Sequence, residues 1–458
     1  MSISVVILAA GQGTRMKSNI AKVMHPVGGK PMVIRAVETA ARLSHQTPIV
    51  VVGHGAEAVQ SAVGGRAQFV IQAQQQGTGH AVMQADSALR GKADYIAVFY
   101  ADMPLLRSAS LQRLIDAQLD NRGPITLLTI VAQDPRGFGR IVRGSDGSVI
   151  SIVEEADCTP DQLLIRELNA GVYVFRADWL WDNLAHLTPK GSKNEYYLTD
   201  MIQLAASQAL PIVGLESDDS DEVIGVNTLV HLSEAETALR QRVNRGWMLE
   251  GVTIIDPATT YIHEDVRIGK DSVIQPNTHL QGKTLIGSQC NIGPNSIIRE
   301  STLGSSCTVT GSVIENAILE NHVEIGPFAH LRAGAYLADN VHMGNFGEVK
   351  NSRLGPGTRM GHFSYIGDAN IGAEVNIGAG TVTVNFDGVN KNKTIVGDNA
   401  FIGSDTMLIA PVTVEQNART AAGSVVTRDV PEGHIAIGVP ARLRQLNPSP
   451  ENENGSGE

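Results

Sequence analysis

The chain has 458 residues, 36 basic against 47 acidic side chains for a net charge of −11, and 42% hydrophobic and 18% charged residues. Such a length exceeds the roughly 250–300 residues at which single cores stop growing, so more than one domain is expected in a soluble globular protein. The acidic excess offers no basic field for nucleic acid. Only Cys158, Cys290 and Cys307 occur, without metal-ligand spacing, so neither a disulfide framework nor a zinc site is expected and a reducing cytoplasm is the expected compartment.

From the start, Val5-Val6-Ile7-Leu8-Ala9-Ala10 is too short for a bilayer and lacks a basic flank, so it reads as a strand and not as a signal peptide or membrane span. Apolar runs at 3–8, 49–52, 95–100 and 125–131 alternate with amphipathic stretches at 30–43 and 108–119. That alternation predicts an α/β domain with a mostly parallel sheet. The first strand enters Leu8-Ala9-Ala10-Gly11-Gln12-Gly13-Thr14-Arg15-Met16, with Lys22 beyond. Two glycines after a strand can be a plain tight turn. Here backbone N–H groups with Arg15 and Lys22 read as a phosphate site. It is neither common fingerprint, since Met16 replaces the third glycine of the dinucleotide motif and no Gly-Lys-Ser/Thr follows.

The run Phe69-Val70-Ile71 precedes Gln72 and Gly77-Thr78-Gly79-His80, which either read a base or make a polar turn. Tyr95–Tyr100 ends at Asp102-Met103-Pro104-Leu105. A carboxylate at that end of a strand either holds Mg²⁺ against nucleotide phosphates or caps the helix expected from 108. Leu229, Leu232, Leu239, Val243 and Trp247 at helical spacing predict a connecting helix over 228–249.

Beyond it a six-residue period takes over: Ile268, Ile274, Leu280, Ile286, Ile292 and Ile298. After one-residue slips it resumes as Ile325, Leu331, Leu337, Met343 and Val349, then Leu354, Met360 and Ile366, then Ile371 and Ile377. After an interruption at 384–394 it returns as Val396, Ile402, Leu408 and Val414. That period excludes an ordinary α-helix and marks a parallel β-helix with aliphatic side chains pointing into the stack. Within it, Arg332, His342, Glu348, Lys350, His362, Tyr365, Asn376, Asn385, Lys391 and Lys393 exceed what a spacer needs, although His322 and His342 read as solvated. The stretch Pro448–Glu458 has no apolar residue and is expected to be disordered.

Leu-Ala-Ala-Gly-x-Gly-Thr-Arg-Met with a downstream Lys, then Gln-x-x-x-x-Gly-Thr-Gly-His, Gly-Phe-Gly-Arg-Ile, Ile-Val-Glu, Asn-Ala-Gly and Gly-Val-Asn, resemble sugar-1-phosphate nucleotidyltransferases. Joined to hexapeptide repeats, residues 3–440 resemble the bifunctional N-acetylglucosamine-1-phosphate uridyltransferase and glucosamine-1-phosphate acetyltransferase family. The resemblance implies a Rossmann-like nucleotidyltransferase domain followed by a left-handed parallel β-helix. It also implies synthesis of UDP-N-acetylglucosamine for cell-envelope polysaccharides from UTP, acetyl-CoA and sugar phosphates. The corresponding division is 1–227, a linker helix 228–249, an acetyltransferase domain 250–447 and a tail 448–458.

Position by position, it implies that Leu8, Ala9, Ala10 and Gly11 line the nucleotide, and that Arg15 and Lys22 are the catalytic cations on the triphosphate. Gln72, Gly77 and Thr78 would read uracil, Asp102 and Asn227 bind Mg²⁺, and Gly139, Glu154 and Asn169 hold the amino sugar. In the second half Phe-Ala-x-Leu-Arg, Gly-Asn-Phe-x-Glu-x-Lys, Gly-His-x-x-Tyr-x-Gly-Asp and Asn-Ile-Gly-Ala-Gly-Thr resemble the acetyltransferase site. Arg332, Lys350, Tyr365, Asn376 and Lys391 would bind the sugar phosphate, with His362 as general base oriented by Glu348. Acetyl-CoA would lie beside Ala379, Ser404 and Ala422 and meet Asn385 and Phe386, with Asn385 donating to the oxyanion.

Three departures stand out: Ala101 in place of glycine, Phe386 in place of tyrosine, and Ser-Arg-Val-Pro shortened to Gly438-Val439-Pro440. The last leaves Arg442 or Arg444 for the CoA phosphates. The resemblance further implies a homotrimer joined through the β-helices, with the 384–394 loop reaching a neighbour. Two other readings compete: a single-activity nucleotidyltransferase with a structural or regulatory β-helix, and a non-catalytic scaffold. Intact Arg15, Lys22, Asp102 and Asn227 stand against the scaffold, and His362 with Arg332, Lys350 and Tyr365 stands against the spacer.

Overall fold

The computed structural model describes residues 2–44, 46–133, 135, 137–190 and 194–446, so the tail expected to be disordered lies outside them. Contacts divide the chain into two compact units, Met1–Leu239 and Arg240–Glu458. The division falls inside the helix Leu229–Leu249, which runs through Gly246 without interruption.

The first unit is built on a nine-stranded sheet. Its main path runs Ile212–Glu216, Ile125–Val131, Glu167–Arg176, Tyr95–Tyr100, Ile3–Ala9, Ile49–Val52, Gln68–Ile71. Along that path pairing is parallel except at Glu167–Arg176, which runs against both neighbours and is bulged between Asn169 and Tyr173. A hairpin, Arg140–Arg143 with Val149–Val153, attaches where Leu168 faces Arg140. The bulged strand and hairpin went unforeseen because their apolar alternation is short and broken by glycines.

Alternation along Ile3–Ala9 makes the unit three-layered. Val5, Ile7 and Ala9 pack with Val33, Val37, Val59, Leu111 and Leu114 from the helices Met32–Ala41, Ala56–Val63 and Ser108–Asp120. Val6 and Leu8 pack on the other face with Val82, Leu180, Trp181, Met201 and Ile202. The helix expected over 30–43 starts only at Met32, because Lys30–Pro31 pairs with Pro26–Val27 as a short ribbon. The chain steps from Ile3–Ala9 outward to Gln68–Ile71, then crosses back to Tyr95–Tyr100. That order sets a topological switch point between Ile3–Ala9 and Tyr95–Tyr100, where open α/β sheets bind ligands.

The second unit is a left-handed parallel β-helix whose coils contribute one short strand each to three long sheets. In most of the two-residue strands the first side chain faces outward and the second inward, so Ile274 stacks on Ile292 and Ile292 on Val309. Every aliphatic position singled out in the sequence is buried in this one core. The stack also holds what the period missed. It begins at Ile254, and it passes through the shortened coils of Leu303, Val309, Ile314 and Leu319, which cause the slips. It also contains inward threonines, Thr383 and Thr420 among them. Thr383 accepts a hydrogen bond from Gly367 N at 2.7 Å, and Thr420 one from Gly403 N at 2.9 Å, so these two polar intrusions are satisfied. Val243 and Trp247 of the helix pack against the same core, and Asn244 Nδ2 donates to the carbonyls of Pro257 and Thr260 at 2.9 Å each.

Among the described residues no helix is long and apolar enough to cross a membrane. Leu337 is fully buried between Leu319 and Leu354. Leu337→Ala should therefore cost about 2–5 kcal/mol of β-helix stability. Chemical denaturation followed by circular dichroism measures this, and an unchanged midpoint would contradict the tight stack.

Candidate active sites

At the switch point the first strand ends in a loop anchored by Met16, which is buried, while Gly11 and Arg15 stay exposed. Gly13 has φ +65°, and a Cβ there would lie 2.7 Å from Lys22 Cβ. The glycine thus permits both the turn and the approach that brings Lys22 over the strand ends. The Lys22 ammonium pairs with the Asp102 carboxylate and donates to Asn227 Oδ1 at 3.2 Å. Arg15 Nη2 donates to the same oxygen at 3.0 Å. Val226 N donates to the Asp102 carbonyl at 2.9 Å, tying the two oxygen-bearing segments together. Four residues spread from 15 to 227 thus meet at one point. Asp102 does not cap the following helix, which starts at Ser108 without a side-chain cap. The methyl of Ala101 is absorbed into the core. Leu8, Ala9 and Ala10 are buried, so any ligand contact from them is through backbone.

Gln72 is 3% exposed, and its side-chain amide Nε2 donates to the Gly77 carbonyl at 3.0 Å and lies 3.1 Å from His80 Nδ1. Thr78 Oγ1 accepts from Leu198 N at 3.0 Å. These groups lie between Gln68–Ile71 and the first turn of the short helix Thr78–Met83, at the same edge as the loop and Asp102. The bulge and hairpin deliver the remaining predicted residues. Asn169 N donates to the Gly139 carbonyl at 2.9 Å, and Asn169 Nδ2 to Tyr173 Oη at 2.7 Å. Glu154 lies beside Gly139 and accepts from Thr199 Oγ1 at 3.0 Å. Burial raises the Glu154 carboxyl above the usual range, with Asp157 and Asp200 adding to it and Thr199 opposing. Burial also raises Tyr100, next to Glu154 and Asp102. Thr199 and Tyr100 were not foreseen, since neither belongs to a motif.

In the β-helix a cationic cluster occupies one sheet. Arg332 Nη1 donates to Glu348 Oε1 at 2.8 Å. Lys350 is held below the usual ammonium range by Lys391 first and Arg332 as well, so three cations crowd one place. Glu348 faces Tyr365 across the ladder, and Lys350 faces Gly367. A Cβ on Gly367 would run into the Tyr365 hydroxyl and the Asn385 amide, so these two groups meet where that side chain is missing. Asp368, unforeseen although it ends a quoted motif, accepts from Asn385 Nδ2 and Asn351 Nδ2 at 2.5 Å each. The 384–394 interruption is a loop bridged at Phe386 and Lys391. It is closed by Asp387, which accepts from Val389 N at 2.9 Å and Asn390 N at 2.7 Å. Phe386 is 57% exposed.

His362 sits exposed at a corner, and among the described residues it has no hydrogen-bond partner; the carboxylate expected to orient it, Glu348, engages Arg332. Ala379, Ser404 and Ala422 occupy the same corner in the next coils, linked by Gly380 N to Phe363 O, Asp405 N to Ala379 O and Gly423 N to Ser404 O at 2.7, 2.6 and 2.8 Å. Asn376 lies exposed on the adjoining sheet, and Arg442 on an edge strand that extends it.

Residues 5–191 match the MobA-like NTP transferase domain. Residues 259–300 match the bacterial transferase hexapeptide and 393–428 the hexapeptide repeat of succinyl-transferase. Over 440 residues the chain is 48% identical to the bifunctional protein GlmU of Exiguobacterium sibiricum, covering 96% of this chain and 97% of that one. The chain belongs to the bifunctional GlmU family. GlmU proteins of Shouchella clausii and Enterococcus faecalis are each 45% identical over 442 residues, covering 96% of this chain and 97% and 96% of theirs. As a family member the chain is a bifunctional transferase of UDP-N-acetylglucosamine synthesis. It acetylates glucosamine-1-phosphate from acetyl-CoA and transfers uridylyl from UTP to N-acetylglucosamine-1-phosphate.

Glu154 gives a pH test. A raised folded pKa means that stability is fully present below the unfolded pKa of about 4.3 and is lost as pH rises through the folded value. Glu154→Gln should therefore melt higher than the wild type near neutral pH and no higher below about pH 4. Paired thermal melts measure this, and a pH-independent difference would remove burial as the cause.

Proposed function

We propose that uridylyl transfer takes place at the Arg15, Lys22, Asp102 and Asn227 cluster. The observation that carries this is the convergence of the Asp102 and Asn227 oxygens on the Lys22 ammonium, which makes the donor set one that already accepts a cation. Hard oxygen donors of this kind fit Mg²⁺, held by Asp102 and Asn227 together with nucleotide phosphates. When bound, Mg²⁺ would draw charge from the phosphates. The chain's own work is positioning: Arg15 and Lys22 neutralise the triphosphate, and Gln72, Gly77 and Thr78 face the base. Gly139, Glu154 and Asn169 hold the sugar so that its phosphate oxygen reaches the α-phosphorus and pyrophosphate leaves. No covalent nucleophile is needed.

For acetyl transfer, Arg332, Lys350, Tyr365, Asn376 and Lys391 bind the sugar phosphate; three crowded cations are a reason to expect an anion between them. His362 takes a proton from the substrate ammonium, and the freed amine attacks the thioester carbonyl. Asn385, steadied by Asp368, keeps one N–H for the developing oxyanion, and the thiolate leaves, taking up the proton that the new amide nitrogen sheds. Ala379, Ser404 and Ala422 offer a narrow path for the pantetheine arm, and Phe386 borders it.

Among the described residues no hydrogen bond joins His362 to the cationic cluster, which favours a site completed by a second copy. The protein on this reading is a homotrimer joined through its β-helices, with the Asp387-closed loop reaching across. Phe328 and Phe346 stack with centroids 5.4 Å apart, and Phe363 follows at the next corner, an exposed aromatic column that supports association. Free thiols at Cys158, Cys290 and Cys307 favour a cytoplasmic setting.

Two variants separate the halves. Asp102→Asn should lower uridylyl transfer by about a hundredfold or more while sparing acetyl transfer. His362→Ala should lower acetyl-transfer kcat by about 10²–10⁴-fold with little change in KM, and abolish the acid limb of its pH profile. Rates, mass and melting temperature are read on the same samples. Loss of both activities in a folded Asp102→Asn protein, or wild-type acetyl transfer by folded His362→Ala, would refute the assignments.

A further inference from the structure

The motif Gly77-Thr78-Gly79-His80 has one member without a task. Gly77 and Thr78 face the base on the uridylyl-transfer reading. Gly79 lets the chain close on Tyr196: its N–H donates to the Tyr196 carbonyl at 2.8 Å, and a Cβ there would lie 2.8 Å from Leu187 Cδ1. His80 is left over. Its ring lies between Tyr196, with centroids 6.2 Å apart, and two amides: Gln84 Nε2 is 3.1 Å from His80 Nε2, and Gln72 Nε2 is 3.1 Å from His80 Nδ1.

Gln72 shows what the ring does. A side-chain amide can present either an oxygen or an NH₂ group to a ligand, because its two ends have nearly the same shape. The Gly77 carbonyl can only accept, so the Gln72 atom that meets it at 3.0 Å is the nitrogen. His80 Nδ1 lies beside that same nitrogen and is therefore an acceptor as well. Both amide hydrogens are thus engaged, and Oε1 is what remains to offer. Among the described residues nothing donates to that oxygen, and Gly77 N donates to nothing. An acceptor beside a backbone donor matches the N3–H and O4 of uracil. Cytosine, with an N3 lone pair beside an amino group, opposes both.

We propose that His80 is a positioning residue that sets the preference for UTP over CTP, by accepting from Gln72 Nε2 and so holding Oε1 toward the base. The inference rests on the uridylyl-transfer reading above, which puts the base at Gln72, Gly77 and Thr78. His80 acts through Gln72. A buried amide hydrogen left unpaired is costly, so without His80 the side chain turns in search of another acceptor and Oε1 leaves its line with the base.

The test compares UTP with CTP as nucleotide donors to N-acetylglucosamine-1-phosphate on full-length protein, read as the ratio of their kcat/KM values. His80→Leu removes the acceptor, and His80→Gln moves it to the place of the far ring nitrogen; each should reduce the ratio about tenfold. His80→Asn, whose oxygen stands in for Nδ1, should keep the wild-type ratio. A histidine that only fills space would change both nucleotides alike. Gln72→Ala should collapse the ratio, and His80→Gln added to it should change the ratio no further. Melting temperature on the same samples reports the fold, and His80→Gln, close in size and polarity, guards against loss of fold in His80→Leu. An unchanged ratio in folded His80→Gln beside a collapsed one in Gln72→Ala would overturn the inference. An unchanged ratio in folded Gln72→Ala would instead sink the reading that puts the base there.

Discussion

Parallel strand pairing is the constraint on which both halves depend. Strands running the same way bring all their carboxyl ends to one edge, and whatever follows each strand is gathered there. In the first unit this assembles Gly11–Met16, Gln72–His80 and Asp102 from three strands distant in sequence. In the second it stacks equivalent corners at the coil spacing, so residues far apart in the chain become neighbours in a column. Each half thus separates a repetitive apolar interior from connections that are free to carry chemistry.

Charge is used differently in the two halves. In the proposed nucleotidyl site the cations already have partners, since Lys22 meets both the Asp102 carboxylate and Asn227 Oδ1. In the β-helix Arg332, Lys350 and Lys391 repel one another, and the lowered Lys350 records that tension. On the proposed acetyl-transfer reading, an arriving phosphate would meet these cations and relieve their repulsion.

Legibility in the sequence followed the strength of the period. The runs 49–52, 95–100 and 125–131 became strands with those bounds, because parallel strands buried on both faces read as unbroken apolar stretches. The hexapeptide aliphatics were readable for the same reason. Thr383 and Thr420 were not, since inward polar positions carry no hydrophobic signal and are satisfied by groups of another coil. Site residues embedded in motifs were legible. Their supports, Thr199 under Glu154 and Asp368 under Asn385, depend on long-range pairing that one sequence does not display. The orienting role of Glu348 came from the resemblance alone; in this structure its carboxylate accepts from Arg332, a pairing that spacing along the chain does not display.

The loop closed by Asp387 interrupts the coil without disturbing it. Val384 pairs onward with Ile409, and Val396 with Ile371, as though the intervening residues were absent. The loop's backbone demand is met internally, by the Asp387 carboxylate and the Phe386–Lys391 bridge. A solenoid that tolerates such an excursion decouples its mechanical continuity from its contacts. The excursion can change length or composition, and with it what it touches, while the load-sharing ladder on either side keeps the same register.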